Sequence, residues 1–478
     1  MMRFLCLFSL IAVTTIGAFA QKGLNLTVEL EGYDQPNLYL GYYYGDKTYL
    51  ADTTARNAEG QFVFEADTLL DAGVYILVME PDNNYSEILI PEEDQQFTVK
   101  TSVDNMVQDM TFEGSSDNTL FYEYLRYLSD LRPKAQAIQQ QMQGADESTK
   151  AKLQEELGTL DEGVRAYQKQ LVADNPGTLA AAIVGANINL KMPEFEGTEE
   201  EQQYKRFYYT RDHYFDHIDL SDDRLLRTPF MFGRVKTFID QLHIQTPDSI
   251  IRGVDYILQE TKPGKDMFRY YLIHFLNKYA GSKVVGMDAV YVHIAKNYYE
   301  KGLATWTDKE QLQKIIDNAN KLEPLLIGKK APNITMQKRD GTPVELYKID
   351  SEFTILYFWR YDCGHCKEST PYMKEFYQQY KDKDITLMAG CLKFQDDVEG
   401  CWDYIDENDI DDWLHTVDPY GRSRFHEKYD LRTTPQIYIL NRDKEIVMKK
   451  IGAEQLPEVM DKLLEIEQKK ASQSGDER

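Results

Sequence analysis

Cys363-Gly364-His365-Cys366 stands directly after the apolar run 354–359 and directly before a stretch, 367–380, with helical patterning. A strand that turns into a helix through such a pair leaves the first sulfur at the helix N-terminus. Unpaired backbone N–H groups and the helix dipole stabilise a thiolate there. The arrangement suits dithiol–disulfide exchange, with Cys363 attacking and Cys366 resolving. Two blander chemistries fit less well. Zinc normally takes a second close pair, and Cys391 and Cys401 are too far apart in sequence to supply one. A purely structural disulfide rarely spans only two residues at a helix start. Neither a metal nor another cofactor is expected.

The second signal is Leu431-Arg432-Thr433-Thr434-Pro435, followed by the strand-like Gln436-Ile437-Tyr438-Ile439-Leu440. Proline cannot donate to a sheet ladder, so Pro435 should open the strand, and a cis bond is one way to do it. With the cysteine pair in this order and spacing, it resembles the cis-proline loop that thioredoxin folds place against a reactive disulfide.

Over residues 327–469 the chain resembles the TlpA/ResA-like thiol-disulfide oxidoreductases of the bacterial cell envelope. The matching elements are Gly328-Lys329-Lys330-Ala331-Pro332, a turn at Asp340-Gly341, Phe358-Trp359 before the cysteines, Pro371 in the following helix, and Thr434-Pro435. Five separated elements fall in the family's order. The resemblance implies a redox enzyme that reduces or isomerises disulfides of envelope proteins and is recharged by a membrane thiol-relay protein. Trp359, Thr434 and Pro435 would lie on the substrate side. Two departures concern the proton acceptor of Cys366. Tyr357 stands where thioredoxins often carry a buried acid, and Ser369 where many ResA-like proteins carry a glutamate; Glu368, one position off, should face another way on a helix.

The residues around the pair bear on its redox poise. His365 and Gly364 lie between the sulfurs, with Lys367 in the first turn and Arg360 upstream. Positive charge there stabilises the thiolate, and Asp362 opposes it. The expected result is a weaker reductant than thioredoxin. Two rivals stand beside this reading. Peroxiredoxins share the fold and the Ala331-Pro332 lead-in, yet their peroxidatic cysteine follows a threonine where this chain has Arg360. Alternatively, the long remainder of the chain is a ligand- or protein-binding platform with a vestigial redox domain.

At 478 residues the chain is too long for one such fold. Residues 1–20 read as a signal peptide: Arg3, an apolar core over 4–13, and Ala18-Phe19-Ala20 for cleavage. Export to the periplasm or cell envelope follows, with retention as an N-terminal membrane anchor as the alternative. The formal charge of −25, from 79 acidic and 54 basic residues, argues against nucleic acid or anionic lipid as a partner. Beyond the leader, the two remaining cysteines, Cys391 and Cys401, form either a second disulfide or two buried free thiols.

The elements that precede the redox region divide in two. Over 21–116, short runs at 26–30, 38–44, 61–65, 74–79, 87–90 and 97–100 alternate with turn residues, which suggests an all-β sandwich. Its rhythm, and Phe112-Glu113-Gly114-Ser115 before a helix, resemble the β domain of unassigned function often attached to envelope thioredoxin-like proteins. Over 117–322 apolar residues recur at helical spacing, as in Leu120, Tyr124, Leu125, Leu128 and Leu131. Further helices are expected at 204–218, 223–242, 267–279 and 285–299. His213 and His217 would then share a helix face, but Tyr214 occupies the place where a zinc protease needs glutamate, so a packed or solvated pair is expected. A polar tail, 470–478, ends a multidomain chain of β sandwich, mainly α domain and α/β thioredoxin fold.

Overall fold

The computed structural model describes residues 23–475, with side chains through Lys469. The expected signal peptide lies outside the described residues. The last helix, Leu456–Gly475, runs on into the stretch expected as a polar tail. The chain forms two compact units: one holds the residues through Leu242 together with Glu260–Phe268, the other His243–Gln259 together with the residues from Arg269 onward. The helical region is therefore shared between them.

In the first unit two four-stranded sheets form a sandwich. One runs in the order Phe62–Glu65, Asn25–Glu31, Gln96–Ser102, Thr111–Glu113, the other Lys47–Ala55, Asn37–Tyr44, Gly73–Met79, Asn84–Ile90. Alternating residues such as Leu26, Val28, Leu38, Leu40, Phe62 and Phe64 fill the space between them. Lys47–Ala55 has no counterpart among the expected strands. It is an edge strand, solvent-exposed over nearly its whole length, and so shows none of the apolar alternation that marks its neighbours. Phe121, Tyr122, Leu179 and Ala180 of two helices join the same core.

The helices begin where caps dictate. Ser115, Asp146 and Thr178 each accept an N–H from three residues on, and Thr198 with Glu201 forms a reciprocal capping pair. The helix Glu199–Asp212 stops before His213, which caps its end and binds Asp216 at 2.7 Å. The expected helix 204–218 is thus shorter, and His213 and His217 do not share a helix face. Similarly, 223–242 divides into a 3₁₀ turn, Asp223–Arg227, and the helix Met231–Gln241, with Pro229 between them.

The second unit carries a seven-stranded sheet in the order Pro343–Glu345, Thr335–Gln337, Leu414–Val417, Ile385–Cys391, Phe353–Trp359, Gln436–Asn441, Ile446–Lys449. The interior strand Phe353–Trp359 is parallel to Ile385–Cys391 and antiparallel to Gln436–Asn441. All seven of its residues are buried, which explains a continuous apolar run rather than an alternating one. On one face Met373, Phe376, Leu456 and Met460 cover it, and on the other Leu325, Ile334, Phe425 and Tyr429. Burial of each larger side chain contributes about 1.5–3 kcal/mol.

Helical segments of the same unit are tied to this sheet. The amine of Lys449, almost fully buried, binds Asp288 and the Leu325 carbonyl, both at 2.5 Å. Asp288 opens the helix Asp288–Ile294, which passes into a π-helical turn, Ala295–Tyr299, so the expected helix over 285–299 is two pieces.

Candidate active site

The strand Phe353–Trp359 delivers the chain to the end of the sheet at the strand's C-terminus, and the helix Gly364–Tyr380 carries it away. Cys363 is the N-cap of that helix in extended conformation, and its sulfur accepts the Cys366 backbone N–H at 3.4 Å. Both cysteines are free thiols. Cys363 is partly exposed, whereas Cys366 faces the core one turn in. The Cys363 thiol donates to the Thr434 carbonyl at 3.4 Å. Thr434 and Pro435 are joined by a cis peptide at the start of Gln436–Asn441, and both are half-buried.

This geometry splits the two acidities. Burial pushes the Cys363 thiol up, but hydrogen bonds involving Cys366 and Thr434, together with the backbone N–H groups of Cys366 and His365, outweigh it and leave the thiol more acidic than ordinary cysteine. Burial pushes the Cys366 thiol up to about 12, reinforced by its neighbour Cys363. One thiol is readied to attack, and the other keeps its proton.

The flanking charges are largely committed to one another. Arg360 grips Asp362 with two hydrogen bonds of 2.9 and 3.0 Å, and Lys393 reaches the same carboxylate at 2.9 Å. Arg360 and then Lys393 hold the Asp362 carboxyl far below the usual carboxylate range, against the opposing effect of burial. Arg360 also senses both cysteine thiols electrostatically. His365 is exposed and turns Nδ1 to Glu368 at 3.1 Å, so its contact with the Cys363 sulfur is through the backbone N–H. Lys367 and Gly364 are exposed in the first turn.

Trp359, expected on the substrate side, is not there. Its ring is 2 % exposed and lies in the core with Cys366, Cys391 and Cys401, 5.4 Å from Tyr404. It shares its sheet face with Tyr357, two residues earlier, and that face is roofed by the cysteine helix.

Cys391 and Cys401 are joined by a disulfide. It closes the segment that follows the strand Ile385–Cys391, and that segment touches the residues just before Cys363. Lys393 lies over the Tyr361 ring at 4.7 Å as well as binding Asp362. Gly400 meets the same ring so closely that an added Cβ would stand 2.6 Å from it. Neither Lys393 nor Gly400 carries a sequence signal, because both contacts depend on strand order.

Known proteins resemble the chain in this region and beyond it. A family model described as Redoxin matches residues 326–464, and two described as domains of unknown function match 24–121 and 139–322. A thiol-disulfide oxidoreductase ResA of Bacillus cereus is 27% identical over 27% of this chain and 72% of its own length. A solved domain from Cytophaga hutchinsonii, described as a possible thiol-disulfide isomerase, is 35% identical over 31% of this chain and 98% of its own, with a TM-score of 0.28. A thioredoxin-like protein from Bacteroides caccae is 16% identical over 57% of this chain and 98% of its own, with a TM-score of 0.43.

Proposed function

Through residues 326–464 the chain belongs to the TlpA/ResA-like branch of the thioredoxin superfamily, a thiol-disulfide oxidoreductase, and on that premise we propose that Cys363 and Cys366 are its redox dithiol. The Cys363 thiolate attacks one sulfur of a substrate disulfide. That S–S bond breaks, the departing sulfur takes the electron pair and a proton, and a mixed disulfide remains on Cys363. Cys366 then loses its proton and attacks the Cys363 sulfur. The new Cys363–Cys366 bond holds the two electrons' worth of oxidation, and the substrate leaves as a dithiol.

The observation that carries this reading is the opposed acidity of the two thiols: Cys363 is lowered at the helix N-terminus and Cys366 raised by burial. Thr434 and Pro435 offer backbone to the substrate chain, since the Thr434 carbonyl already engages the attacking sulfur. Cys391 and Cys401, both fully buried, serve as a structural bridge.

The substrates are disulfide-bearing proteins of the cell envelope, reached after export directed by residues 1–20, and a membrane thiol-relay protein returns the dithiol to its reduced state. No helix among the described residues is long and apolar enough to cross a membrane. The direct test is turnover of a model protein disulfide by the full chain. Wild type should turn over and Cys363→Ser should not; equal rates would overturn the assignment.

A further inference from the structure

Arg360-Tyr361-Asp362 separates the end of the strand Phe353–Trp359 from Cys363. The Cys363 N–H closes these residues into a turn, donating to the Arg360 carbonyl at 3.4 Å. A distant segment grips that turn. Lys393 donates to the Asp362 carboxylate at 2.9 Å and lies over the Tyr361 ring at 4.7 Å. Gly400 abuts the hydroxyl end of the same ring, at carbons that an added Cβ would approach to between 2.6 and 3.0 Å. A ring so enclosed has little room to shift.

Both contacts issue from the ends of the Cys391–Cys401 bridge. Lys393 follows Cys391 by two residues, and Gly400 immediately precedes Cys401. Cys391 stands in register with Trp359, and the Leu392 N–H donates to the Trp359 carbonyl at 2.8 Å. The strand that carries the turn therefore also anchors the segment that grips it. With the bridge open, Gly400 is no longer tied to that strand end.

Asp362 places a negative charge beside the residue that must become a thiolate, and like charge disfavours that form. Arg360 and Lys393 both offset it, though unequally. The Arg360 side chain is 44 % exposed, so water and salt screen its charge, whereas that of Lys393 is 12 % exposed and rests on an aromatic face. The other acid near Lys393 is Asp397, exposed and 3.7 Å away. The charged and titratable groups facing Cys363 itself are Cys366, Arg360 and Tyr357.

We propose that Lys393, held in place by the Cys391–Cys401 bridge, is a positioning residue for the attack step, fixing Tyr361 and neutralising Asp362 so that Cys363 holds a thiolate at the helix start. The inference rests on the assignment of Cys363 as attacker. Lys393 exchanges no proton or electron with substrate; it acts through the two residues that precede the sulfur. The bridge thereby serves the reactive pair as well as the stability of the fold.

The test is the rate of Cys363 alkylation against pH, in the full chain with Cys363 and Cys366 reduced and the bridge intact. Lys393→Met keeps most of the side-chain length and loses the charge. It should slow alkylation about threefold or more near neutrality and meet the wild-type rate at high pH, where the thiol is ionised in both. Lys393→Arg should restore the wild-type profile. Asp362→Asn added to Lys393→Met should restore it too, because the charge to be offset is gone. In a glutathione titration Lys393→Met should be more reducing by the same factor. Replacing both Cys391 and Cys401 with alanine should move the alkylation profile in the same direction as Lys393→Met.

A Lys393→Met rate within about twofold of wild type near neutrality would overturn the inference. So would a slowing that is equal at every pH, which reports lost structure rather than lost charge. An unchanged profile without the bridge would overturn its holding role. Wild-type protein in which Cys363 is alkylated no faster than Cys366 would overturn the underlying assignment instead.

Discussion

The backbone N–H of Cys366 donates to the Cys363 sulfur at 3.4 Å while the Cys366 thiol is buried, so two thiols three residues apart lie on opposite sides of ordinary cysteine acidity. The helix N-terminus that favours one thiolate is the element that buries the other.

Selective labelling follows. A lowered pKa places Cys363 partly in the thiolate form at pH values where an ordinary cysteine is still protonated, and Cys366 stays protonated until the pH approaches about 12. In the reduced protein at neutral pH, alkylation read by peptide mass analysis should mark Cys363 far ahead of Cys366. Equal rates would remove the distinction on which the attack order depends.

His365 separates backbone from side-chain tuning. Its N–H faces the Cys363 sulfur, whereas its imidazole turns to Glu368. Proline is tolerated in the first turn of a helix and deletes that N–H together with the imidazole, whose loss alone His365→Ala reports. His365→Pro should raise the Cys363 pKa and make the pair more reducing in a glutathione titration. His365→Ala should leave both near wild type. A large effect of alanine would return the role to the imidazole charge.

Much of this architecture was legible because it rests on local pattern. The buried interior strand reads as a continuous apolar run, the two cysteines mark the turn into a helix, and Pro435 marks the start of the neighbouring strand. What was illegible depends on register or exposure. Tyr357 and His415 come together only because both pair with Ala389 on the strand between them. Lys393 and Gly400 reach the site through a segment closed by a disulfide, and the buried Lys449 finds Asp288 from 161 residues away. Lys47–Ala55 gave no signal because an edge strand in water needs no apolar face. Trp359, which the family resemblance put on the substrate side, is turned into the core by strand alternation.

The Cys391–Cys401 bridge closes a short loop inside the fold. Replacing both cysteines with alanine should lower stability by about 2–4 kcal/mol, measured by denaturant unfolding. Differential alkylation should find this bridge intact under mild reductant that keeps Cys363 and Cys366 as thiols. A bridge that opens together with them would make it a redox partner rather than a clamp.

His415 predicts an acid-sensitive fold. Its pKa falls from 6.5 in the unfolded chain to about 4 when folded, so the unfolded state binds the proton first. Its contribution is fully present above 6.5, declines as the pH falls toward 4, and is lost below that. The gap amounts to about 3 kcal/mol. His415→Gln should flatten this part of the pH–stability curve in urea unfolding; an unchanged slope would mean the imidazole is solvated.

The central claim, that Cys363 attacks and Cys366 resolves, is tested most directly by trapping. Full-length Cys366→Ala protein, incubated with a disulfide-bearing protein, should accumulate a covalent adduct whose mass and peptide map place the bond on Cys363. Wild type should not retain it and Cys363→Ser should not form it. An adduct missing from Cys366→Ala, or equally abundant in Cys363→Ser, would contradict the account.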